Sequence, residues 1–337
     1  MRRISIALLL FSVLSLIGCT TQTETNDPPK VTPSKDETLW YQNMKLDTNS
    51  HWSAQVVETD THFYFLAEGG VYQYQKDIKE SIVIITEAAY GLSLCENNLY
   101  YHTEHAVKCM DLRSKNVSVI WNETMLPTGE NADGYHYISI SDFALLDGYL
   151  YIAGTGTSVM RVDLENYATE QFLEDCGGMV LLGDDCYYLD HAEKTFSLYH
   201  MTCDSKKSML LRGKGESYPD EMLIDGIAAV GDAVAYSVRD TADVYLYRPD
   251  GSDDRIFDGA NSEQVWLSII SQGYSEKLYF YTTDGSQLKL YEYQSETGVS
   301  LLTAFDCTRR ICDVAITDSM VFWWSEEESL VKCFVRE

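Results

Sequence analysis

The composition of this chain excludes one large class of function at once. Its 337 residues include 52 acidic and 25 basic side chains, a formal net charge of −27 at pH 7. Such a surface repels the phosphate backbone, so no nucleic-acid partner is expected. No second linker and no long amphipathic helical stretch interrupts residues 38–337, which indicates one domain built from repeats.

The N-terminus has the parts of an export signal. Two arginines precede an apolar run from Ile4 to Ile17, which is too short for a permanent membrane span and has the size of a signal-peptide core. The tetrad Leu16-Ile17-Gly18-Cys19 resembles the lipobox of bacterial lipoproteins. That resemblance implies a lipoprotein signal peptide over residues 1–18 and an acylated Cys19 anchored in a lipid bilayer, extracytoplasmic in the bacterial cell envelope. An ordinary secretory signal is the alternative.

Residues 19–37 are expected to form a lipidated cysteine followed by a disordered tether. From Thr20 to about Glu37 the only aliphatic residue is Val31, and three of the six prolines of the chain lie there. Such a segment cannot bury enough apolar surface to offset the entropy lost on ordering. The folded body is therefore predicted to start near residue 38.

One strand-opening pattern recurs seven times beyond the tether: a small polar turn, an apolar residue, and then usually an aromatic residue. The openings are Phe63-Tyr64, Leu99-Tyr100, Leu150-Tyr151, Cys186-Tyr187, Val234-Ala235, Leu278-Tyr279 and Val321-Phe322. Successive openings lie 36 to 51 residues apart, the interval of a four-stranded propeller blade. The sequence predicts an all-β fold, a seven-bladed β-propeller over residues 38–337, with six or eight blades as alternatives.

The third strand of each repeat shows a two-residue period. One register holds Tyr74, Met110, Val162, Met201, Tyr247, Tyr293 and Phe334. The residues directly before them are mixed and mostly polar: Gln73, Cys109, Arg161, His200, Leu246, Glu292 and Cys333. Because this alternation buries one face of each strand between blades, we expect most strand aromatics to be core residues.

The last repeat is incomplete. It supplies three predicted strands, Ile311 to Thr317, Val321 to Ser325 and Leu330 to Val335, and then the sequence stops at Glu337. The segment from Thr38 to Leu46 precedes the first predicted strand. We expect this N-terminal segment to add the missing outer strand and so close the ring.

Short motifs give the repeats a family resemblance. Phe322-Trp323-Trp324-Ser325-Glu326, Tyr100-Tyr101-His102-Thr103-Glu104 and Tyr281-Thr282-Thr283-Asp284 resemble degenerate forms of the Tyr-Trp-Thr-Asp repeat of LDL-receptor-type propellers. The chain as a whole is similar to bacterial extracytoplasmic propeller lipoproteins of unknown function related to them. These motifs are structural, so the resemblance implies a fold and no catalytic residue.

Two long connections suggest where a ligand would bind. The segments from Met125 to Tyr137 and from Gly213 to Gly226 both join the fourth strand of one repeat to the first strand of the next. These connections lie at one mouth of a propeller channel, and long loops on a rigid scaffold often carry binding residues. The candidate binding residues on this looped face are Trp52, Tyr90, Asn131, Asp133, Tyr135, His136, Tyr218, Asp220, Glu221, Trp266, Arg309 and Arg310. The alternative is that both segments are tolerated surface insertions.

The sequence contains no complete catalytic or metal-binding motif of the types considered below. His102 and His105 are three residues apart, a spacing that suits a helix, whereas these two flank a strand turn. The Asn131 to Gly134 and Asp250 to Asp254 segments lack the complete ligand pattern of a calcium loop. No serine-hydrolase elbow, phosphate loop or dinucleotide fingerprint occurs. We therefore expect no metal and no cofactor, and assign no catalytic residue.

The cysteines of the folded body are expected to be mostly free thiols. Cys95 and Cys109 fall on the first and third strands of one repeat, as do Cys312 and Cys333. The first and third strands of a repeat are separated by the second strand and therefore lie about 10 Å apart, which is beyond the reach of a disulfide. Only Cys307 with Cys312 is a plausible local bridge.

Three classes of function remain open. The leading hypothesis is a membrane-anchored binding or protein-interaction module for a protein, peptide or glycan, expected to be a monomer. The second is a propeller enzyme of the lyase, lactonase or glycosidase type with its site at the channel mouth. The third is a structural component of an envelope complex. Clustered titratable side chains at the mouth would favour the enzyme, and an apolar aromatic patch would favour binding.

The predicted latch gives a first test. Deleting residues 20–50 should lower the stability of the whole ring, because an unpaired strand edge is left on the last blade. Deleting only residues 20–37 removes the tether and should leave stability unchanged. Denaturant unfolding of both variants measures the difference, and equal stabilities would contradict the latch.

Overall fold

Antiparallel hairpins make up nearly all of the chain that the computed structural model describes. The described residues are 55–67, 70–125, 140–146, 148–154, 158–174, 176–190, 197–204, 207–212, 224–238, 241–259, 264–268, 276–283, 287–306, 314–325 and 330–335, and all belong to one compact unit. The signal peptide, Cys19, the tether and the segment Thr38 to Leu46 lie outside them. Among the described residues the only helix is a short 3-10 turn, Glu123–Met125.

The first three repeats form one antiparallel four-stranded blade each, with strands in chain order from the inner edge outwards. Blade 1 contains β1 (Val56–Glu58), β2 (His62–Ala67), β3 (Gly70–Gln75) and β4 (Glu80–Ile85). Blade 2 contains β5 (Tyr90–Cys95), β6 (Asn98–His102), β7 (Ala106–Asp111) and β8 (Val117–Asn122). Blade 3 contains β9 (Ile140–Leu146), β10 (Tyr149–Gly154), β11 (Val159–Asp163) and β12 (Thr169–Leu173).

The remaining repeats form three further four-stranded blades and one three-stranded sheet. Blade 4 contains β13 (Cys176–Leu182), β14 (Asp185–Asp190), β15 (Ser197–Thr202) and β16 (Met209–Arg212). Blade 5 contains β17 (Ile224–Val230), β18 (Ala233–Val238), β19 (Asp243–Tyr247) and β20 (Asp253–Phe257). Blade 6 contains β21 (Gln264–Ser268), β22 (Lys277–Thr283), β23 (Gln287–Gln294) and β24 (Gly298–Asp306). The last sheet contains β25 (Val314–Ile316), β26 (Met320–Ser325) and β27 (Leu330–Val335).

The all-β propeller is confirmed, but the number of complete blades is not. Six blades have four strands, whereas seven were predicted, and the seventh repeat forms only a three-stranded sheet among the described residues. The physical reason is that no described strand pairs with the outer edge of β27. The segment from Thr38 to Leu46, expected to fill that edge, lies outside the described residues, so the latch stays a prediction.

Every repeat uses the same hairpin register. The first residue of each opening pair lies opposite the expected position of the third strand: Phe63 opposite Tyr74, Leu99 opposite Met110, Leu150 opposite Val162, Cys186 opposite Met201, Val234 opposite Tyr247, Leu278 opposite Tyr293 and Val321 opposite Phe334. The second residue lies opposite the mixed position, as Tyr187 does opposite His200. The predicted register of the third strand is therefore confirmed, whereas burial does not follow the predicted alternation in every repeat, since Leu246 is buried and Tyr247 is only partly buried.

This register decides which way each side chain packs. Side chains alternate between the two faces of a strand, so the two residues of an opening pair contact different neighbours. Tyr187 packs forward against Val234 and Tyr236 of blade 5, and Cys186 packs backward with Tyr151 of blade 3. The same arrangement gives one buried cluster between each pair of consecutive sheets. Most strand aromatics are core residues, as expected.

A seventh cluster joins the two ends of the described chain. Phe322 on β26 packs against Phe63 and Phe65 of blade 1, and the rings of Phe63 and Phe322 meet edge to face with centroids 5.7 Å apart. The Glu58 carboxylate accepts a hydrogen bond from the Ser319 backbone N–H at 3.1 Å and pairs with Lys76. Burial alone would raise the pKa of Glu58, but these hydrogen bonds hold it below its usual value.

Tight turns connect the first and second strands of most repeats. In blade 3 the turn holds Gly148 with φ of +82°, a left-handed conformation that favours glycine. In blade 2 the turn is formed by Glu96 and Asn97, because Asn98 already pairs with Cys95, and Glu96 takes the left-handed conformation with φ of +54°.

The described cysteines carry thiols and not disulfides, as expected. Cys95, Cys109, Cys176, Cys186, Cys203 and Cys333 form no disulfide. Burial raises the pKa of the Cys176 thiol to about 12 and that of Cys186 well above its usual value, so these thiols stay protonated and behave as small apolar core side chains. Cys307 and Cys312 lie outside the described residues, so their bridge stays a prediction.

Ring closure by Phe322 can be tested by truncating its side chain. The Phe322→Ala variant should lose about 3–5 kcal/mol of unfolding free energy, because a fully buried aromatic ring is replaced by a cavity. Met209→Ala, at a side chain that is largely exposed, serves as the control and should change stability by about 0.5 kcal/mol or less. Equal losses in guanidinium unfolding would show that the cluster of Phe322, Phe63 and Phe65 does not hold the ends together.

Candidate functional site

Most of the residues expected on the looped face cannot be placed. Of the twelve, only Tyr90 has a described side chain, and Trp266 lies on β21 with only its backbone described. The other ten lie outside the described residues: Trp52, Asn131, Asp133, Tyr135, His136, Tyr218, Asp220, Glu221, Arg309 and Arg310. Whether the set converges on one site stays a prediction.

The ring of Tyr90 lies next to the ring of a buried histidine. Tyr90 begins β5, at the strand end where a fourth strand leads into the next first strand, and 40% of it is exposed. It is paired across the hairpin with His102, with ring centroids 5.6 Å apart. His102 is 1% exposed, with Nδ1 3.1 Å from the Thr103 carbonyl oxygen. Burial lowers the pKa of His102 to about 4, so its imidazole is neutral at physiological pH.

A second histidine lies nearby at the surface. His105 lies in the turn between β6 and β7, where Nδ1 is 3.3 Å from a Glu123 carboxylate oxygen and Nε2 is 3.7 Å from Glu104. These three side chains do not form a metal site, and no group of three or more metal-ligating residues with suitable geometry occurs in the part of the chain that the structure describes. The His102 and His105 pair therefore has no metal-binding geometry.

A cleft lies between blades 4 and 5. It is at the ends of the strands opposite to the end at which Tyr90 lies. Its volume is about 340 Å³, and it is lined by Leu182, Gly183, Asp185, Tyr187, Gly231, Asp232 and Pro249. Leu182 ends β13 and Gly183 begins the turn to β14, and Gly231 and Asp232 form the equivalent turn between β17 and β18. Pro249 belongs to the turn after β19. The cleft is thus built from three short hairpin turns.

The turn conformations set the shape of this cleft. Gly231 has φ of +56°, so the chain reverses in two residues and leaves Asp232 exposed at the rim. Leu182, Asp185 and Gly231 are partly buried, and Pro249 is exposed. Tyr187, only 4% exposed, lies at the base. The cleft therefore has apolar walls, two carboxylates and, among its lining residues, no cationic side chain.

Asp185, Tyr187 and His200 lie on one face of blade 4. Tyr187 is paired with His200 across the hairpin, and their ring centroids are 4.9 Å apart. His200 Nε2 lies 2.8 Å from Asp185 Oδ1, a hydrogen-bonded pair at the base of the cleft. Burial, followed by the nearby Asp185 carboxylate and Tyr247, raises the pKa of Tyr187 to about 12. Its hydroxyl is therefore neutral and available as a hydrogen-bond donor.

A partly buried polar network joins blades 4 and 5. Arg212 on β16 pairs with Asp253 on β20, and its guanidinium lies 5.4 Å from the centroid of the Tyr247 ring. The Tyr236 hydroxyl donates to Asp253 Oδ2 at 2.9 Å. Burial and this carboxylate raise the pKa of Tyr236. Because Arg212 comes from blade 4 and the other three residues from blade 5, the network holds the walls of the cleft in register.

The sequence pattern did not point to this cleft. Tyr187 and His200 were interpreted only as members of the strand pattern. The available signal was the glycine and aspartate at the same turn of two consecutive repeats, Gly183-Asp184-Asp185 and Gly231-Asp232. Their proximity depends on how consecutive blades pack, which the repeat spacing does not specify.

Comparisons with known proteins show the fold alone. No protein-family model and no curated protein matches the chain. Among solved structures, a chain of a mitotic checkpoint complex is 12% identical with a TM-score of 0.61, and the match covers 94% of this chain and 100% of that one. Virginiamycin B lyase from Staphylococcus aureus is 11% identical with a TM-score of 0.56, covering 86% and 98%.

A third similar structure is the extracellular domain of a one-component system from B. thetaiotaomicron. It is 10% identical with a TM-score of 0.55, and the match covers 86% of this chain but 39% of that one. At these identities the three proteins share the propeller fold with this chain, and their differing names show how many functions that fold serves. Within the described residues, no helix has the length and apolar character needed to span a bilayer.

The buried His102 predicts an acid-sensitive step in stability. Its pKa in the folded protein is about 4, against 6.5 for a free side chain, so the unfolded chain binds a proton first as the pH falls. The contribution of neutral His102 to the free energy of unfolding is complete above pH 6.5 and is lost as the pH falls from 6.5 to 4. At 1.36 kcal/mol per pKa unit, the loss is about 3 kcal/mol.

Thermal or denaturant unfolding from pH 7.5 to pH 4 measures this step. The His102→Gln variant should lack it, so its stability relative to the parent should improve as the pH falls. His105→Gln, at a half-exposed side chain, is the matched control and should follow the parent. Parallel curves for parent and His102→Gln would contradict the assignment.

Proposed function

We propose that this protein is an extracytoplasmic propeller, held to a membrane by acylated Cys19, that binds a peptide or protein ligand in the cleft between blades 4 and 5. The observation that carries the proposal is the cleft itself, a cavity of about 340 Å³ with apolar walls and two carboxylates, supported by a rigid network. Ligand sites of this kind commonly lie between packed elements of a scaffold.

The extracytoplasmic location rests on two supports. The lipobox-like tetrad ending at Cys19 is of the type that directs export and acylation in bacterial lipoproteins. The extracellular domain from B. thetaiotaomicron shares the propeller fold. The relation to LDL-receptor-type propellers rests on the degenerate tetrads of the sequence and belongs to the same proposal.

The lining of the cleft favours a cationic side chain as the group it accepts. Leu182 and Pro249 offer apolar contact for an aliphatic stem, and Asp185 and Asp232 offer carboxylates for the charged end. Lysine and arginine have both parts. A net charge of −27 adds long-range attraction for a basic ligand. The volume is at the lower end of the range for ligand pockets, about 300–1,000 Å³, and suits one side chain better than a whole small molecule.

The structure of the cleft gives less support to a glycan ligand than to a peptide ligand. Sugar rings are usually bound by stacking on exposed aromatic faces, whereas Tyr187 is 4% exposed and its ring already lies against His200 and Tyr247. The cleft therefore lacks a free aromatic platform among its lining residues. A cationic side chain needs no such platform, because carboxylates and apolar walls are sufficient.

One observation favours an enzyme as the second candidate. His200 is hydrogen-bonded to Asp185 at 2.8 Å, the arrangement in which a carboxylate orients an imidazole for proton transfer. A lyase, lactonase or glycosidase working through this pair would lose turnover in His200→Gln. The binding module makes no such prediction, since His200 lies behind the lining residues.

The proposal can be tested by nuclear magnetic resonance with two small probes. Acetyl-lysine amide and acetyl-norleucine amide share the aliphatic stem and differ in the ammonium group. We expect the lysine probe to shift the imidazole signals of His200 and the norleucine probe to leave them unchanged. The Asp232→Asn variant should weaken binding of the lysine probe by about tenfold, the equivalent of 1.4 kcal/mol.

A matched control makes the result specific. Asp318 is exposed at the equivalent turn of the last sheet, between β25 and β26, so Asp318→Asn removes the same charge far from the cleft. It should bind the lysine probe like the parent protein. Equal weakening in both variants would show that only net charge matters, and absence of any shift with the parent would overturn the cleft as a cation site.

A further inference from the structure

The outer strands of blades 1 and 2 expose an unusual amount of apolar surface. Ile82 on β4 is 58% exposed, and Val117 and Val119 on β8 are 46% and 45% exposed. Ile78, in the turn between β3 and β4, is 54% exposed. Four large aliphatic side chains of two adjacent blades therefore face solvent, and we call them the rim patch. Exposed apolar surface of this kind marks an interaction site.

The register places the members of the rim patch on facing sides of the two blades. Ile82 pairs with Gln73, so it shares a face with Ile84, which packs against the cluster between blades 1 and 2. Val117 pairs with Met110, a buried member of the same cluster. The rim patch is thus the outward continuation of the core between these blades, left uncovered at the outer edge.

The outer strands β12 and β20 are polar at the corresponding places, whereas β16 exposes the apolar side chain of Met209. On β12 the residues Glu170 and Gln171 are exposed and Thr169 is partly buried, and on β20 Asp254 and Arg255 are exposed. Charged and polar side chains on outer strands normally prevent association with other surfaces. The outer strands β4 and β8 therefore expose more aliphatic side chains than the outer strands β12 and β20.

Basic and acidic side chains both border the rim patch, and Glu80 is exposed at the start of β4, two residues before Ile82. Lys79 lies in the turn before β4, and Arg113 and Lys115 lie in the turn before β8. Lys115 Nζ donates to Gln73 Oε1 of blade 1 at 2.9 Å, so it lies across the boundary between the blades. The neighbouring carboxylates of Asp77 and Asp111 accept hydrogen bonds from backbone N–H groups of their own turns.

We propose that the rim patch contacts the surface of the bilayer that holds the acylated Cys19. Aliphatic side chains flanked by lysine and arginine are the composition of surfaces that lie in a membrane interface. The net charge of −27 opposes contact with anionic lipid, and screening by physiological salt weakens this repulsion. The first described strand, β1, belongs to blade 1, the blade that carries Ile78 and Ile82 at its outer edge.

This contact would determine which way the ring faces. The rim patch lies on blades 1 and 2, and the cleft lies between blades 4 and 5, on the far side of the ring in blade order. A ring resting on the bilayer through the rim patch leaves the cleft directed away from the membrane. The inference depends on the proposed membrane location but not on the ligand of the cleft, so each can fail without the other.

Vesicle flotation of the mature chain carrying Cys19→Ser tests the contact without the acyl chains. The vesicles are phosphatidylcholine, with or without phosphatidylglycerol. We expect the protein to float with the mixed vesicles, and the Ile82→Ser/Val119→Ser double variant to reduce the bound fraction by about tenfold. Lys79→Ser/Arg113→Ser should reduce binding to the mixed vesicles and make it less sensitive to salt.

The matched control removes exposed apolar side chains elsewhere. Tyr167 and Met209 are 49% and 54% exposed on blades 3 and 4, and Tyr167→Ser/Met209→Ser should float like the parent. All variants should keep the parent's thermal midpoint, because the changed side chains are exposed. Failure of the parent to float, or equal flotation of the Ile82 and Val119 variant, would overturn the proposal. A dimer that the same variant disrupts would also overturn it by assigning the patch to a second copy of the chain.

Discussion

Packing between consecutive sheets is the interaction on which the rest of this structure depends. Each blade alone is a four-stranded antiparallel sheet with two faces that need cover. The constant hairpin register places one residue of each opening pair on the forward face and the other on the backward face, so that every sheet buries side chains against both neighbours. Phe322, Phe63 and Phe65 complete the circuit from the last sheet to the first. Stability is therefore shared around the ring.

The cleft and the rim patch are both places where that packing stops. At the inner turns of blades 4 and 5, Gly183 and Gly231 reverse the chain with little side-chain volume, and a cavity remains above Tyr187. At the outer edge of blades 1 and 2 the apolar pattern continues past the point where the blades meet, and Ile82 and Val119 stay uncovered. Both proposed sites, the cleft and the rim patch, thus lie where the packing between neighbouring blades is interrupted.

Much of the fold was predictable from particular residues. The seven opening pairs and the third-strand positions are all found in the expected register, and Leu330–Val335 is a strand with the predicted limits. The number of complete blades was wrong, since a repeat spacing counts repeats and does not show whether each has an outer partner strand. The candidate site was less predictable: Tyr90 is exposed as expected, whereas the cleft lies at the other ends of the strands.

The sequence by itself determined the secondary structure, the register and the burial of the strand aromatics, because alternation along a strand and the residues of tight turns are local properties. Only the tertiary structure decided that Asp185 and Tyr187 line one cleft with Asp232 and Pro249, and that Ile82 and Val117 lie on facing sides of blades 1 and 2. Each of these groupings joins two blades, and the distance between side chains on different blades depends on the packing of whole sheets, which no local pattern encodes.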